Sequence, residues 1–299
     1  MYLITGAGGG VGSVSPRVVE QLIEAGEPVR AMVHRDDTRA ERLRALGAEV
    51  VVGDLTDPCD VVGAMRDVKR MFFNMSVSQE YLRATAVVCA AAREEIHPDL
   101  IVNMSQMTVS EMTLTSREGS RQQRLHWLSD RIMNWADVPV VHIRPTVFLD
   151  NPLFTLLARK SIRDRGVLQL PFGDGRTSPI AAADVACLVA TLLRDSAGGS
   201  GEVYEVTGPE VLDIHGLAER YGRGLNRPIT AEDIPHDTWM QQRLRLSGLP
   251  EHVQQHIATM AELHREGRYD RMSDDFQKVT GQPAQTVDQY IATHPELFA

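Results

Sequence analysis

Glycines crowd the start of the chain in a spacing that suits a phosphate-bearing ligand. The opening MYLITGAGGGVGSVS contains Gly6-x-x-Gly9-x-x-Gly12 directly after a short apolar run. Such a turn lets the backbone approach a pyrophosphate and packs a helix closely against a strand. Phosphate would then lie on free N–H groups at the N-terminus of that helix. The alternative is a tight strand-to-helix turn with no ligand. The predicted dinucleotide contacts in this segment are Thr5, Gly6, Gly9, Gly10, Val11 and Gly12.

The end of the second apolar run indicates which nucleotide is preferred. In VRAMVHRDD, His34 and Arg35 stand where NAD-binding proteins of this layout often carry an acidic residue. A guanidinium complements a 2′-phosphate, so the sequence favours NADP over NAD as the cofactor. The alternative is a solvated Arg35 beside Asp36 and Asp37.

Two further strand ends supply the remaining contacts predicted on this side of the cofactor. Asp54 and Leu55, in GDLTDP, are placed to flank the adenine, or else are a loop aspartate and a core leucine. Asn74 and Met75 follow the fourth apolar run and are also assigned to the cofactor.

These residues need a parallel sheet to bring them together, and the sequence predicts one. Short runs of almost continuous Val, Ile, Leu, Met and Phe alternate with helix-length segments, as in a doubly wound α/β sheet covered on both faces. The predicted strands are Tyr2–Thr5, Val29–Val33, Glu49–Val52, Arg70–Asn74, Leu100–Met104, Val140–Ile143 and, later, Glu202–Val206. The predicted helices include Arg17–Ala25, Ala40–Leu46, Asp237–Leu246 and Glu251–Gly267. We therefore expect a Rossmann domain at 1–151 and a smaller, mostly helical substrate region at 152–299, with some segments returning to the sheet.

Composition narrows the possible partners. The net charge of −9 gives no basic surplus for nucleic acid or an anionic membrane, and no segment approaches the length of a membrane span. The glycine turn also leaves no room for a signal peptide, so we expect a cytoplasmic protein. We expect it to be a monomer or a homodimer. Three scattered cysteines suggest no disulfide framework. His252 and His256, in HVQQH, lack the glutamate of a zinc motif, and we expect two exposed helix histidines and no metal site.

The order of motifs along the chain identifies a family resemblance. The sequence contains, in order, TGAGGGVG, VRAMVHR, VVGDLTDP, IRPTVFLDN, PFGDGRTSPIAAADVA and VYEVTGPEVLDIHGLAERYGRGLNRPI, and ends in VTGQPAQTVDQYIATHPELFA. This succession, which covers nearly the whole chain, resembles the NmrA-like branch of the atypical short-chain dehydrogenase/reductases. The resemblance implies an NAD(P)-binding Rossmann domain, a small C-terminal domain and a substrate cleft between them. Members include quinone reductases, tailoring enzymes of secondary metabolism and redox-sensing regulators.

One departure from ordinary short-chain dehydrogenases bears on catalysis. Those enzymes use Tyr-x-x-x-Lys as a proton relay, but no tyrosine of this chain has a lysine four residues later. The corresponding helix has His126 and Asp130 four apart, on one helix face. His126 is a candidate proton donor or substrate hydrogen bond oriented by Asp130, or the two residues merely pack. Ser105, after the fifth strand, either bonds substrate or terminates the strand.

The segment RPTVF after the sixth strand supplies the last predicted contacts. By the resemblance, the backbone of Pro145, Thr146 and Val147 approaches the nicotinamide carboxamide. Phe148 and Asn151 would border the substrate, although a core phenylalanine and a helix-capping asparagine are equally compatible. Met107 belongs to a group of methionines near the strand ends that suits a flat aromatic ligand, or simply the core.

We therefore predict an NAD(P)H-dependent oxidoreductase of secondary metabolism that acts on a small hydrophobic aromatic or quinone-type substrate. One alternative is an oxygenase-type enzyme that tailors an aromatic polyketide. The other is a non-catalytic regulator that senses NAD(P) and chooses a protein partner.

Overall fold

The computed structural model describes residues 1–9, 13–117, 119–195 and 200–298. Its strands, in chain order, are β1 (Tyr2–Ile4), β2 (Val29–Val33), β3 (Glu49–Val52), β4 (Arg70–Phe73), β5 (Leu100–Met104), β6 (Val140–Pro145), β7 (Val167–Leu170), β8 (Val203–Val206) and β9 (Thr230–Asp233). Within the described residues, seven of them form one sheet in the order β3-β2-β1-β4-β5-β6-β8, and β7 pairs with β9 in a second.

The large sheet has the doubly wound arrangement that the sequence predicts. β1 lies between β2 and β4, with Tyr2 in register with Val29 on one side and Arg70 on the other, and all these pairs are parallel. The chain runs outwards from β1 to β3 and then returns to β4, so the strand order reverses between β1 and β4. Ligands of such sheets bind outside the carboxyl ends of the strands at this reversal. Every residue of β5 is buried, as expected for a strand covered on both faces.

Helices connect the strands. They are α1 (Val14–Glu24), α2 (Thr38–Leu46), α3 (Pro58–Met65), α4 (Tyr81–Ala91), α5 (Arg121–Trp135), α6 (Arg159–Arg165), α7 (Ala182–Arg194), α8 (Ile214–Leu225), α9 (His236–Trp239), α10 (Glu251–Arg265), α11 (Asp275–Thr280) and α12 (Val287–Thr293). Most predicted elements are found within a few residues of their expected ends, but the predicted helix Asp237–Leu246 is divided into the short α9 and a π-helical segment, Met240–Leu244. Pro16 lies in the first turn of α1, where a missing backbone N–H is tolerated. Among the described residues, no helix has both the length and the apolar character of a membrane span.

The chain divides into two compact units. The first consists of Met1–Val109, Gln122–Arg144 and Val185–Tyr204, and the second of Ser110–Arg121, Pro145–Asp184 and Glu205–Ala299. Each unit has its own hydrophobic core. The first core packs apolar residues of β1, β4 and β5 against α3 and α4, and the second includes Trp239, Tyr221 and Phe154. The predicted division into domains at residue 151 stays a prediction.

Candidate nucleotide site

The glycine turn at the end of β1 is fixed by hydrogen bonds to β4. The Thr5 Oγ1 lies 2.9 Å from both the carbonyl oxygen and the amide nitrogen of Asn74, so it donates to one and accepts from the other. Gly6 follows with a φ of 62° and Gly9 with a φ of 81°, values that side chains rarely adopt. A Cβ on Gly6 would come within 2.7 Å of the Asn74 carbonyl oxygen. Glycine is therefore required at Gly6 by both conformation and space.

The same segment is joined to the start of α1. The Asn74 side-chain nitrogen donates to Ser15 Oγ over 2.9 Å, which ties the end of β4 to the first turn of this helix. Helix α1 begins at Val14, three residues before the predicted segment Arg17–Ala25. The predicted contacts Gly10, Val11 and Gly12 lie outside the described residues.

A cleft of about 530 Å³ opens beside this turn, entirely within the first unit. Seven of the predicted cofactor residues line it, namely Gly6, Gly9, His34, Arg35, Asp54, Leu55 and Met75. Thr5 and Asn74 do not line the cleft but hold the turn that does. The cleft is also lined by residues that the sequence pattern does not single out, among them Arg39, Ser76, Ser78 and Glu80. The carboxyl ends of β1, β2 and β3 thus converge on one cavity, as the fold requires.

The basic side chains of the cleft differ in their electrostatic partners. Arg39 pairs with Asp37, whose carboxylate also caps α2 by accepting from the Arg39 backbone N–H. The hydrogen bond from Arg39 lowers the pKa of Asp37 to about 2. Arg44 pairs with Asp36 over 2.7 Å. Across the described part of the chain, no acidic side chain pairs with Arg35, which is exposed. The neighbours that could have neutralised Arg35 are therefore engaged by other arginines.

Asp54 also lines the cleft and is held as an anion. Its Oδ1 accepts from the Thr56 backbone N–H and hydroxyl, each over 2.8 Å. The backbone hydrogen bond from Thr56 is the main cause of a lowered pKa for Asp54. A carboxylate so placed accepts hydrogen bonds from hydroxyl or amino groups. The glycine turn, the exposed Arg35 guanidinium and this carboxylate together fit a dinucleotide with a phosphate near Arg35.

A buried polar network lies behind the cleft, around Asp130 of α5. Asp130 is 1% exposed. Its Oδ1 accepts from Asn103 Nδ2 at 3.0 Å, and its Oδ2 accepts from Ser105 Oγ and from an Arg144 Nη, each at 3.0 Å. His142 Nδ1 lies 3.4 Å from the same carboxylate, and burial lowers the pKa of His142. The Arg144 guanidinium compensates the buried charge.

This network corrects the expected pairing of His126 with Asp130. Among the described residues, the partners of the Asp130 carboxylate come from β5 and β6, and His126 is not one of them. The two side chains share a face of α5, but the rotamer of Asp130 directs its charge toward the Arg144 guanidinium. The hydroxyl proton of Ser105 is committed to Asp130, so the Ser105 oxygen is left to accept, not donate, a further hydrogen bond.

His126 instead contacts Gln122 and Tyr81. Its Nε2 lies 3.2 Å from Gln122 Nε2, and its ring centroid lies 4.4 Å from that of Tyr81. The Tyr81 hydroxyl donates to the Met104 carbonyl oxygen over 3.1 Å, and burial raises the pKa of Tyr81 well above its ordinary value. The Tyr81 hydroxyl proton is therefore engaged by a backbone carbonyl. The roles of His126, Asp130 and Ser105 in catalysis stay predictions.

The remaining predicted contacts are placed as follows. In the second unit, the Thr146 backbone N–H bonds the Val206 carbonyl oxygen, and Phe148 forms a bridge with Ile180. Asn151 Oδ1 accepts from the Leu153 N–H and so caps the following helical segment, the alternative that the sequence left open. Pro145 and Val147 are buried beside them, and Met107 is buried in the first unit. Their roles toward the nicotinamide and substrate are untested.

The two histidines of α10 differ in exposure. His252 is exposed as expected, but His256 is half-buried, with Nδ1 2.7 Å from Ser120 Oγ. The expectation of two exposed histidines is wrong for His256, because the segment before α5 covers its ring. Burial lowers the pKa of His256 to about 4. The described residues contain no group of three or more potential metal-binding side chains.

Two relatives in sequence are named as reductases. A (4-alkanoyl-5-oxo-2,5-dihydrofuran-3-yl)methyl phosphate reductase of Streptomyces griseus is 29% identical over 299 residues, covering 100% of this chain and 99% of the relative. An NAD(P)H azoreductase of Xenophilus azovorans is 27% identical over 295 residues, covering 97% of each chain.

Solved structures agree with the fold. The NADPH-dependent quinone oxidoreductase QOR2 of Escherichia coli, complexed with NADPH, has a TM-score of 0.84 at 20% identity, covering 98% of this chain and 99% of that one. NmrA, a negative transcriptional regulator in complex with NADP, has a TM-score of 0.81 at 15% identity, covering 99% and 96%. A sequence model described as NAD(P)H-binding matches residues 6–196. The cleft geometry and this match agree, and the chain belongs to the NAD(P)H-binding family, with the Rossmann fold that the solved structures share.

Proposed function

We propose that this protein is an NADPH-dependent reductase of a hydrophobic aromatic or quinone-type substrate. The observation that carries the proposal is the cleft at the β1/β4 reversal, where the glycine turn lies beside an exposed Arg35 with no acidic partner in the described chain. Reductases among the relatives support the reaction class.

The preference for NADPH over NADH rests on the contrast between two arginines of the cleft. Arg39 is already neutralised by Asp37, whereas Arg35 can form a charge-assisted hydrogen bond without breaking an existing pair. The two residues that follow the second strand are His34 and Arg35, and neither is an acid that could bind a ribose diol. A 2′-phosphate therefore gains an ionic contact that NADH does not offer.

The chemistry divides between the cofactor and this chain. When bound, the nicotinamide supplies the hydride. The glycine turn and Arg35 would hold the phosphates, which fixes the position of the nucleotide. His126 would donate a hydrogen bond to the substrate oxygen, and Ser105, whose proton is committed to Asp130, would accept one. Quinones suit a site without Tyr-x-x-x-Lys because their reduced oxygens are comparatively stable anions and need less help from an acid.

The substrate class draws further support from the names of the relatives. An azoreductase acts on aromatic azo compounds, and the E. coli structural neighbour is a quinone oxidoreductase. The Streptomyces relative reduces a furanone phosphate, so that compound class belongs in the test as well.

The test is steady-state oxidation of NADPH and NADH, followed at the near-ultraviolet absorbance of the reduced nicotinamide. The substrate panel contains quinones, azo dyes, aromatic polyketides and a furanone phosphate. We expect oxidation that depends on a quinone or another aromatic acceptor and prefers NADPH. The variant His126→Ala should lower turnover while nucleotide affinity is unchanged. Unchanged turnover in that variant would remove His126 from the reaction.

A second candidate is a regulator that binds the nucleotide without turnover. The missing Tyr-x-x-x-Lys pair and the likeness to NmrA favour this function. A regulator would bind oxidised and reduced nucleotide with different affinities. It would not oxidise the reduced nucleotide with any member of the panel.

A further inference from the structure

The side chain of Gln122 bridges the wall of the nucleotide cleft and His126. Its Oε1 lies 3.2 Å from the Ser78 backbone nitrogen, and its Nε2 lies 3.2 Å from His126 Nε2. Gln122 and His126 lie one turn apart on α5 and are 4% and 7% exposed. Ser78 itself lines the cleft.

The partners of this amide fix its orientation and the position of a proton. A backbone N–H only donates, so the group facing Ser78 is the amide oxygen, and the NH₂ of Gln122 faces the imidazole. An amide NH₂ only donates as well, so His126 Nε2 must accept. The ring proton of a neutral His126 is therefore on Nδ1.

We propose that Gln122 is a positioning residue that holds His126 neutral with its proton on Nδ1. An imidazolium would direct an N–H of Nε2 against the N–H groups of the amide, which disfavours the charged ring. The Tyr81 ring, 4.4 Å away and anchored through its hydroxyl to the Met104 carbonyl, limits rotation of the imidazole.

The consequence for the reaction rests on the proposed reductase function. His126 acts as a neutral hydrogen-bond donor through Nδ1 and stabilises the oxygen on which negative charge develops, without transferring a proton itself. The proton that completes the reduced product then comes from water. Because Ser78 belongs to the cleft wall, the orientation of this donor is tied to the segment that contacts the nucleotide.

The experiment is nitrogen NMR of histidine-labelled protein, because the two ring nitrogens report the tautomer directly. The His126 signals are identified by their loss in His126→Phe. We expect the wild type to show a protonated Nδ1 and an unprotonated Nε2. In Gln122→Glu, which keeps the size of the side chain, a carboxylate oxygen accepts from the ring, and we expect the proton on Nε2. Gln123→Leu is the matched control, since Gln123 bonds Thr108 Oγ1 instead, and it should leave the His126 signals unchanged.

Kinetics separate the two proposals. If the reductase function holds, kcat with a quinone falls about 10-fold in Gln122→Met, because the imidazole loses the amide that orients its donor, while KM for NADPH is unchanged. The expected tautomer without quinone reduction would leave the positioning role standing and overturn the reductase. A wild-type ring protonated on Nε2, or one that Gln122→Glu does not alter, would overturn the positioning role whatever the activity. Thermal unfolding of each variant establishes that it is folded.

Discussion

Polar groups of the nucleotide cleft and polar groups of the interior are organised in opposite ways. In the cleft, Arg35 is exposed without an acidic partner in the described chain, and the backbone at Gly6 and Gly9 is open to a ligand. In the interior, Asp130 receives hydrogen bonds from three neighbours, and His264 is bonded at both ring nitrogens. The polar groups of the cleft are available to bind a ligand, whereas those of the interior are hydrogen-bonded to one another within the fold.

This difference separates binding from positioning. A buried charge is tolerated only when it is paired and hydrogen-bonded, so the Asp130 network holds its shape whether or not a ligand is present. An exposed guanidinium costs little to leave without a partner and gains most when a phosphate arrives. We expect changes in the interior to affect stability first, and changes in the cleft to affect nucleotide affinity first.

The largest expected effect is on the interior ion pair. Arg144→Met removes the charge opposite Asp130, whose side chain is 2% exposed, and should lower the free energy of unfolding by about 3 kcal/mol or more. Denaturant unfolding measures this loss. The control Arg223→Met breaks the exposed pair with Glu219 and should cost less than about 0.5 kcal/mol. Adding Asp130→Asn to Arg144→Met should recover part of the stability, because the unpaired charge is gone. Equal losses of stability in Arg144→Met and Arg223→Met would contradict the difference expected between a buried and an exposed ion pair.

The next effect tests the glycine turn. Gly6→Ala combines a positive φ with a Cβ only 2.7 Å from the Asn74 carbonyl oxygen. Gly26→Ala has a φ of 79° but meets nothing within 4 Å. The positive φ costs about 1–2 kcal/mol in both, and the collision adds about 1–3 kcal/mol in Gly6→Ala alone. Chemical unfolding and NADPH titration compare the two variants, and only Gly6→Ala should also lose nucleotide affinity. Similar affinities would show that the turn does not hold the nucleotide.

A smaller effect concerns the pH dependence of stability. His264 lies between the rings of Phe172 and Tyr269, and burial lowers its pKa from 6.5 to about 3. Below pH 6.5 this histidine is therefore protonated in the unfolded chain but stays neutral in the folded protein. Its contribution to the free energy of unfolding is complete above pH 6.5 and decreases as the pH drops toward 3. At about pH 5 the loss from this residue is about 2 kcal/mol.

Unfolding of His264→Gln across this range isolates the effect. We expect a variant that is less stable at neutral pH but whose stability falls less steeply on acidification than that of the wild type. His252→Gln, which changes an exposed ring, should keep the wild-type slope. Parallel curves for the wild type and His264→Gln would show that the buried imidazole does not resist protonation.

The smallest effect returns to the cleft and to the choice of nucleotide. Arg35→Gln should weaken NADPH binding about 10-fold and leave NADH binding unchanged, since only NADPH carries the 2′-phosphate. Arg39→Gln should weaken NADPH binding less, because Asp37 already neutralises that guanidinium. Calorimetric titration of both nucleotides measures the difference. A larger loss in Arg39→Gln would reassign the phosphate contact to Arg39.

The fold and the cleft were predictable because their signals are local. Continuous apolar strands predict the parallel sheet, and glycines directly after the first strand predict the turn, which needs no distant partner to be recognised. The sequence could not show that Asp36 and Asp37 pair with Arg44 and Arg39 and so leave Arg35 available. That depends on side-chain geometry along α2.

The interior was predicted less well because its partners come from distant strands. Spacing on α5 correctly places His126 and Asp130 on one face, but Asn103, Ser105 and Arg144 decide where the carboxylate points. The one available signal for Gln122 was its i,i+4 spacing to His126. Its contact with the Ser78 backbone depends on the packing of α5 against the segment after β4.

The most direct test of the central claim is a single turnover of the protein–NADPH complex mixed anaerobically with a quinone. We expect the absorbance of the reduced nicotinamide to disappear in step with formation of one equivalent of hydroquinone, and the rate to fall in His126→Ala. Tight NADPH binding with no loss of absorbance, across quinones and azo dyes alike, would contradict a reductase and indicate a protein that only senses the nucleotide.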